Sequence, residues 1–350
     1  SLQSRSPSGM RLLKIKRAVD RFFGQLIDHR LLFSFQFASP MLAGEVCDAF
    51  RSADIVVSTS PPWAIHLAAW IATRRFRKLW LADYRDQFSG NHIQKGSALS
   101  RPIERMIDRA LLRAADCVTV ISSPMKTYYE QFHSRVECIE NGYDDVVFEQ
   151  ARQRLSREGE GGVAEVTIRY LGSISADRIP RALLKAVADV NRVSEKKIRV
   201  EFFGESALLR EMLPLLLPEA PDFVVFMPQL TYGDALTSML SADLLYFVET
   251  SDLSSLSARG VLTTKLFEYL AAKKPVVAEI SEDSLPADYL KRSGLALVIS
   301  TEAEKIRDAL LQYLNGEDKR VPDEEFIHSL SRNVKAQQME MLLKDICKKD

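Results

Sequence analysis

Short runs of β-branched and aromatic residues alternate with longer helical patterns through most of this chain of 350 residues. The runs are apolar on both faces and are bounded by polar or turn residues, as is typical of strands in a parallel sheet. The predicted strands are residues 54–58, 79–84, 116–121, 136–140, 166–171, 198–203, 224–227, 243–248, 276–278 and 296–299. Neighbouring strands that run parallel must be joined by crossover connections. The helices between the predicted strands can supply these connections, so the pattern predicts an α/β fold.

A charged stretch at residues 149–165, which contains Gly161 and Gly162, separates the first four predicted strands from the last six. A chain of this length exceeds what one hydrophobic core usually supports, so we expect two domains. We place an N-terminal Rossmann-like domain at residues 1–150, a linker at 151–165, a second Rossmann-like domain at 166–322 and a helix that returns toward the first domain at 323–350. With only four strands, the first domain is expected to be reduced. Two doubly wound domains of this kind are expected to face a cleft.

The composition excludes several classes of protein. Lys plus Arg and Asp plus Glu both total 47, so the net charge gives no reason to expect a nucleic-acid partner. No apolar run approaches the roughly 20 residues that cross a bilayer. The four cysteines show no CxxC spacing, which favours reduced thiols and a cytoplasmic protein. The basic amphipathic pattern at residues 10–23 predicts either a helix packed on its own domain or a peripheral membrane contact.

Residues 263–278 predict a helix that leads directly into a buried strand. Thr263 or Thr264 is placed as the N-cap, and Leu266, Phe267, Leu270 and Ala271 fall on one inward face. Lys265 and Glu268 share the opposite face at the start of this helix. Free N–H groups and a Lys attract phosphates, while a carboxylate can accept from both hydroxyls of a ribose. The alternative is that both side chains are solvated surface residues.

Polar residues follow several of the predicted strands. Gly172 and Ser173 follow residues 166–171, Gly204 follows 198–203, and Gln229 lies shortly after 224–227. The carboxyl ends of parallel strands meet at one edge of the sheet, where open α/β folds bind ligands. A glycine there lets backbone N–H groups approach an anion, although one glycine by itself means only a tight turn.

In the first domain, Arg85 and Asp86 follow the strand at residues 79–84. Their place at a strand's carboxyl end makes them candidates for a functional role. The alternative is that they cap the next element or pair with each other. The next helix, at residues 101–115, is predicted to pack through Ile103, Ile107 and three further apolar residues, which are Ala110, Leu111 and Ala114.

The string KLFEYLAAKKPVV, from Lys265 to Val277, resembles the donor-site signature of GT-B glycosyltransferases, in particular glycosyltransferase family 4. The segments SPP at 60–62, RD at 85–86, ADCVTVIS at 115–122, IENGYD at 139–144 and the G-S…R-x-P pattern at 172–180 are similar to the same family.

The resemblance implies a role for each candidate residue. Glu268 would bind the ribose of a sugar nucleotide, and Arg178 would clamp its phosphates, with Lys185 a weaker candidate. The other donor-binding residues would be Gly172, Ser173, Gly204, Gln229, Thr264 and Lys265. Arg85 and Asp86 would be the catalytic residues on the acceptor side.

The family implies transfer of a sugar from a nucleotide diphosphate sugar to a hydroxyl of a carbohydrate or lipid-linked acceptor. The transfer is expected to be retaining and independent of metals and cofactors, and to serve bacterial polysaccharide or glycolipid assembly. The enzyme is expected in the cytoplasm, at the inner face of the membrane.

The chain departs from the family pattern at Gly260, where the paired Glu-x7-Glu motif has its first Glu, and at Lys273, where Gly is usual. Asp252 or a loop backbone is the expected substitute at the sugar. These departures keep open a non-catalytic or partner-dependent protein that binds nucleotide sugars. A nucleotide-sugar epimerase of the same architecture fits less well, because its characteristic pattern of His and acidic residues is not evident.

Overall fold

The computed structural model describes residues 34–39, 41–91, 97–158, 165–218, 222–250, 253–254 and 256–348. The amphipathic segment at residues 10–23, the glycines Gly161 and Gly162, and Asp252 lie outside these ranges. The chain divides into two compact units. Unit 1 contains the residues up to Glu140, Ser255–Gly260 and the residues from Gln337, while unit 2 contains Asn141–Ser254 and Val261–Ala336.

Ten strands and fourteen α-helices are formed by the described residues. The strands are β1 (Ile55–Ser60), β2 (Leu79–Tyr84), β3 (Cys117–Val120), β4 (Val136–Cys138), β5 (Val166–Leu171), β6 (Ile198–Phe203), β7 (Val224–Met227), β8 (Leu244–Val248), β9 (Val276–Glu279) and β10 (Ala296–Ile299). The helices are α1 (Gly44–Ser52), α2 (Ala64–Phe76), α3 (Ser100–Ala114), α4 (Ser123–Tyr129), α5 (Asp145–Glu158), α6 (Arg181–Val193), α7 (Ala207–Leu216), α8 (Tyr232–Ser241), α9 (Leu256–Arg259), α10 (Thr264–Ala272), α11 (Leu285–Arg292), α12 (Ala303–Leu314), α13 (Glu324–Ser329) and α14 (Arg332–Cys347). A 3₁₀-helix covers Phe35–Ala38.

Unit 1 contains a parallel sheet in the order β1-β2-β3-β4. Trp80, Tyr84 and Tyr129 are fully buried against this sheet. The four strands that the sequence predicts in this half are all present.

Unit 2 contains a six-stranded parallel sheet in the order β10-β9-β8-β5-β6-β7. Consecutive residues of a strand are buried in different apolar clusters. Tyr170 of β5 and Tyr246 of β8 lie in one cluster, and the residues that follow them, Leu171 and Phe247, lie in the other. Both faces of the sheet are therefore covered by helices, which explains why its strands read as continuous apolar runs. The α/β prediction with two parallel sheets is confirmed.

The order in which strands are added to the sheet of unit 2 reverses between β5 and β8. Counted within the unit, the first three strands extend to one side and the last three to the other, which is the order of dinucleotide-binding Rossmann sheets. At such a reversal, open α/β folds bind their ligands outside the carboxyl ends of the strands. The fold thus provides a standard place for a ligand at this switch point.

The boundary between the units differs from the one expected from sequence. The units divide between Glu140 and Asn141 rather than at residue 150, and α5 occupies much of the stretch expected as a linker. Phe148 and Ala151 of α5 are buried in the apolar core of unit 2. The charged residues of this stretch form the outer face of an amphipathic helix, which composition alone does not distinguish from a linker.

Helix α3 is also oriented differently from the prediction. It buries Glu104 and Asp108 together with Leu111 and Leu112, while Ile103 is 45% exposed. Asp108 accepts hydrogen bonds from the Ser89 N–H and hydroxyl and from the Tyr84 hydroxyl. These bonds replace the water that the carboxylate loses on burial, so the acidic side of the helix can face inward.

No helix among the described residues is long and apolar enough to cross a bilayer.

Candidate functional site

Five of the residues predicted to bind the donor lie on loops or a helix start around the switch point of unit 2. Gly172 follows β5, Gly204 follows β6, and Thr264 and Lys265 begin α10. Arg178 lies on the loop between β5 and α6.

The Lys265 ammonium group lies directly over the backbone of Gly172. A Cβ atom built on Gly172 would be 2.6 Å from Lys265 Nζ, so a larger residue would displace the amine from its present position. Gly172 also has φ of +148°, a backbone conformation that side chains rarely adopt. Gly204 supports the same turn, because a Cβ built there would be 3.1 Å from the Gly172 carbonyl oxygen. The two glycines and the lysine therefore form one close-packed corner.

Lys265 is held in a partly apolar environment. Its Nζ lies 4.0 Å from the centre of the Tyr170 ring. Burial lowers the pKa of Lys265 to about 8, while the nearby Glu249 carboxylate opposes this change. Burial of an ammonium group is unfavourable unless an anion compensates it, so the site favours an anionic ligand.

Glu249 interacts with both Arg178 and Lys265, and it is not among the residues selected from the sequence. It directly follows β8, is 6% exposed, and its Oε2 lies 2.7 Å from a guanidinium nitrogen of Arg178. Burial raises the pKa of Glu249, and Arg178 and Lys265 lower it. Glu249 thus faces two cations, and the carboxylates of Asp177 and Glu268 act electrostatically on the same cluster. The position of Glu249 after an apolar strand was the available signal.

Helix α10 presents its N-terminus to this corner. Thr263 occupies the N-cap position with an extended backbone, but its side chain makes no capping hydrogen bond, and Thr264 is exposed. Leu266, Phe267, Leu270 and Ala271 are buried as predicted. These buried residues hold the helix in place. The first N–H groups of the helix and the positive end of its dipole lie at the switch point, where they would attract an anion.

Glu268 lies one turn further along α10 and is partly buried. Burial raises its pKa, while a hydrogen bond from the Tyr232 hydroxyl, the charge of Arg332 and the charge of Lys265 lower it. Burial and the Glu268 carboxylate raise the pKa of Tyr232 to about 12. If a ribose binds Glu268, its hydroxyls would take the place of the Tyr232 hydroxyl as hydrogen-bond donors to the carboxylate.

The remaining donor residues lie at the exposed edge of the unit. Ser173 is exposed beside Gly172, and Gln229 is exposed on the loop between β7 and α8. Lys185 does not join the cluster: it lies on α6, is largely exposed and pairs with Glu304 at 2.8 Å.

Glu279 is a second acidic residue that the sequence analysis did not select. It ends β9, and its carboxylate oxygens accept from the backbone N–H groups of Ala182 and Leu183 and from the Tyr246 hydroxyl. The N-terminus of α6 is therefore already capped by a carboxylate. The same contact holds the end of the loop that carries Arg178.

Arg85 and Asp86 are at the carboxyl end of β2 in unit 1. The Arg85 Nε lies 2.8 Å from Oδ2 of the buried Asp83, which also accepts from the Thr119 hydroxyl. A guanidinium nitrogen of Arg85 lies 3.5 Å from the Ile139 carbonyl oxygen. Asp86 is exposed. The Arg85 side chain is thus held by an ion pair with Asp83.

Residues 17–142 match a family model described as a glycosyl transferase 4-like domain. No curated protein matches the sequence. The fold is similar to that of HepE from Anabaena, solved with UDP and glucose, with a TM-score of 0.61, 15% identity, and coverage of 89% of this chain and 83% of that one. It is also similar to a glycosyltransferase from Rickettsia africae, with a TM-score of 0.60, 12% identity, and coverage of 89% and 83%.

The lipopolysaccharide outer core galactosyltransferase WaaB, solved without ligand, has a TM-score of 0.54, 13% identity, and coverage of 86% of this chain and 78% of its own. Identities this low show the fold alone. The chain therefore has the GT-B fold, and its residues 17–142 match a glycosyl transferase 4-like domain.

Proposed function

We propose that the protein transfers a sugar from a uridine diphosphate sugar to a hydroxyl of a carbohydrate or lipid-linked acceptor. The observation that carries the proposal is the corner of unit 2 where the Lys265 amine lies over Gly172, next to the Arg178–Glu249 pair. Uridine is chosen as the base because HepE was solved with UDP.

In this proposal the diphosphate binds at the start of α10. Lys265, Arg178 and the backbone N–H groups of α10 and of the Gly172 turn stabilise the charge that develops on the leaving diphosphate. The bond between the anomeric carbon and the diphosphate oxygen breaks, the acceptor oxygen forms the new bond, and the acceptor proton leaves to a base or to the diphosphate. Glu268 accepts from the ribose hydroxyls, and Gln229 lies beside the base.

We further propose a retaining, metal-independent transfer, because the cations of the site supply the charge that a metal would otherwise provide. The test is transfer measured in a chelator and in magnesium, with the anomeric configuration of the product read by NMR. Equal rates and a retained configuration support this part of the proposal. Loss of activity in the chelator that magnesium restores would contradict it.

A thermal-shift and calorimetry series with UDP-, GDP- and ADP-sugars tests donor binding. A hundredfold excess over Kd stabilises the folded state by about 2.7 kcal/mol. Lys265→Met and Glu268→Ala should remove most of the shift seen with the correct donor. Lys185→Ala is the matched control, since that lysine is paired with Glu304 away from the site. A full shift in the Lys265→Met protein would refute the donor site.

A non-catalytic protein that binds nucleotide sugars is the second candidate, and two observations favour it. Gly260 occupies the position of the first Glu in the family motif, and Arg85 is tied to a buried aspartate. Release of free UDP in the presence of an extract containing acceptors separates the two functions. A donor-dependent thermal shift without any release of UDP would favour the binding protein.

The proposed setting is polysaccharide or glycolipid assembly at the cytoplasmic side of a bacterial membrane. It is supported by the resemblance to the family and by the WaaB fold, because WaaB is named for the lipopolysaccharide core. A screen of lipid-linked and free oligosaccharide acceptors tests this setting directly.

A further inference from the structure

Glu249 is a buried carboxylate to which the proposed transfer assigns no role. It directly follows β8 and is 6% exposed, and its Oε2 lies 2.7 Å from a guanidinium nitrogen of Arg178. Burial lowers the pKa of Lys265 to about 8, and among the charges that oppose this change the Glu249 carboxylate has the largest effect. Glu249 therefore interacts with both side chains that are proposed to hold the diphosphate.

The ion pair with Glu249 engages only part of the Arg178 guanidinium group. The Arg178 Nε is buried and has no hydrogen-bond partner in the part of the chain that the structure describes. A buried donor without an acceptor is unfavourable, and a ligand that supplies the acceptor removes this penalty. The side chain as a whole is 27% exposed, so a ligand can reach it, and its planar fork matches the oxygens of a phosphate. Arg178 is thus held by Glu249 but not saturated by it.

A second buried glutamate of the same sheet shows what a fully bonded pair looks like. Glu201 on β6 is also 6% exposed, and its Oε2 accepts from the Arg169 Nε at 2.8 Å. A further nitrogen of Arg169 donates to the Ser238 carbonyl oxygen at 2.8 Å. That arginine is committed to the fold on two sides, whereas Arg178 keeps a free donor. The difference indicates that the Arg178 pair is made to be exchanged.

The charges of the corner around Gly172 and Lys265 are set against an incoming anion. Its two cations, Arg178 and Lys265, share the neighbourhood with three carboxylates, which are those of Asp177, Glu249 and Glu268. Burial raises the pKa of the nearby Tyr170, so this hydroxyl stays neutral. A diphosphate that enters the corner must compete with a carboxylate for the cations, because like charges at short range repel each other.

We propose that Glu249 is a positioning residue of the donor site: its carboxylate holds Arg178 and Lys265 in the empty corner and competes with a nucleotide diphosphate for them. In the empty site the carboxylate keeps the two cations from repelling each other. A bound diphosphate takes the place of Glu249 on Arg178, and the ion pair forms again when the diphosphate leaves. Glu249 therefore weakens binding of the diphosphate product. This role rests on the proposed function, because it requires a diphosphate at this corner.

The test is calorimetric binding of UDP to the full chain from pH 7 to pH 9. The terminal phosphate of UDP loses its second proton at about pH 6, so the charge of the phosphates is constant in this range. Glu249→Gln keeps the shape of the side chain and removes its charge. It should bind UDP roughly tenfold more tightly than wild type at pH 7, because the competing anion is gone.

The pH profile separates competition from a structural role. Without the Glu249 carboxylate the pKa of Lys265 falls further, because burial still acts on the amine and its nearest opposing charge is lost. The decrease in UDP affinity with rising pH should therefore begin at a lower pH in Glu249→Gln than in wild type. A residue that only supports the fold would not move this profile.

Glu201→Gln is the matched control, since it removes a glutamate of the same 6% exposure from an ion pair on β6. It should bind UDP as wild type does at every pH, even if the free energy of unfolding is lower. If Glu249→Gln does not fold, Glu249→Asp takes its place. Its carboxylate is withdrawn by one methylene and holds Arg178 less closely, so this variant should also bind UDP more tightly than wild type.

The outcomes distinguish this role from the proposed function. If wild type binds UDP, Lys265→Met does not, and the Glu249 variants bind it equally or more weakly than wild type, the donor site stands and the role of Glu249 is wrong. An unmoved pH profile in Glu249→Gln, or an equal gain of affinity in Glu201→Gln, would also overturn the role. Absence of UDP binding by wild type would refute the donor site itself, and the role of Glu249 with it.

Discussion

Two opposing effects act on the protonation state of Lys265. Burial against Tyr170 and Gly172 favours the neutral amine, whereas attraction of a diphosphate requires the ammonium form. The result is a pKa of about 8 instead of the ordinary 10.5. Below that pH most molecules carry the charge, as the proposed binding of a diphosphate near neutral pH requires.

The first prediction concerns the pH dependence of donor binding. If only the charged form of Lys265 binds well, the affinity for the UDP-sugar is highest below pH 8 and falls up to tenfold per pH unit above it. The uracil N3–H of a UDP-sugar titrates only well above pH 8, so the part of the change that occurs around the pKa of Lys265 reports the protein. Calorimetric Kd values from pH 6.5 to 9.5 provide the measurement.

Lys265→Met serves as the control for this dependence. The variant keeps an unbranched side chain but has no charge, so its affinity should be weaker by roughly tenfold or more at pH 7 and should change little up to pH 9.5. If Lys265→Met shows the same fall above pH 8 as wild type, another group is responsible and the assigned role of Lys265 is wrong.

The second prediction concerns Lys273, which ends α10 in a left-handed conformation with φ of +56°. This geometry explains why the family usually has glycine at the position, since glycine adopts it without a steric penalty. Lys273→Gly should raise the free energy of unfolding by about 0.5–1 kcal/mol, although the exposed contact with Glu324 is lost. Lys273→Val should lower it. Chemical denaturation measures both, and a destabilised glycine variant contradicts the argument.

At the scale of elements, α6 depends on a residue from a distant strand. Glu279 accepts from Ala182 N–H, although the two lie 97 residues apart in sequence, and it also accepts from Leu183 N–H and the Tyr246 hydroxyl. Burial raises the pKa of Glu279, while these hydrogen bonds lower it. The carboxylate thus joins β8, β9 and α6 at the end of the loop that carries Arg178.

The third prediction follows from this connection. Glu279→Ala leaves two backbone N–H groups and a buried hydroxyl without their acceptor, so it should destabilise the protein by about 2–4 kcal/mol. It should also weaken donor binding, because Arg178 is three residues before α6. Glu304→Ala is the matched control: this glutamate is in the first turn of α12 but exposed, and its loss should destabilise the protein much less. Equal effects in denaturation would contradict the capping role.

The strands of both sheets could be predicted from sequence because burial on both faces requires consecutive apolar residues, a local signal. The inward face of α3 could not. Its apolar residues suggested a packed side, but the hydrogen bonds that hold Asp108 come from Tyr84 and Ser89, which belong to other segments. Which side of a helix is buried is decided by such partners as well as by its own residues.

The same distinction applies to the candidate site. Gly172, Arg178 and Lys265 could be selected because each stands at a strand end or helix start and matches a family string. Glu279 and Tyr232 could not, because their roles come from partners brought together by the order of the strands. Glu249 stands at a strand end but matches no family string, and its contact with Arg178 is visible only in the fold. Even Glu268, selected for a ribose, proved to hold a contact with Tyr232 that no local pattern indicates.

At the scale of the whole molecule, the two units carry different groups of functional candidates. The corner around Gly172 and Lys265 is contained in unit 2, whereas Arg85 and Asp86 belong to unit 1. The corner is built from β5, β6, β8 and α10, all of which lie in one sheet and its covering helix. If the diphosphate binds at this corner, as proposed, its contacts with these elements come from unit 2.

This separation gives the fourth prediction, which concerns the region that UDP protects in hydrogen exchange. Amide groups that bind a phosphate are shielded from solvent and are opened less often, so their exchange slows when the site is saturated. We expect protection in peptides that cover residues 171–178 and 263–268. Peptides from the sheet of unit 1, such as those covering β2 and β3, should exchange at the same rate with and without UDP.

Lys265→Met should lose the protection in both peptides of unit 2 together, because its amine lies between the Gly172 turn and the start of α10. Arg192→Gln, whose residue is exposed on α6, should keep it. Protection confined to unit 1, or protection of residues 263–268 that survives in Lys265→Met, would mean that the nucleotide binds elsewhere. Because each unit has its own parallel sheet and its own cores, the pattern of exchange assigns the nucleotide to one of them without reference to catalysis.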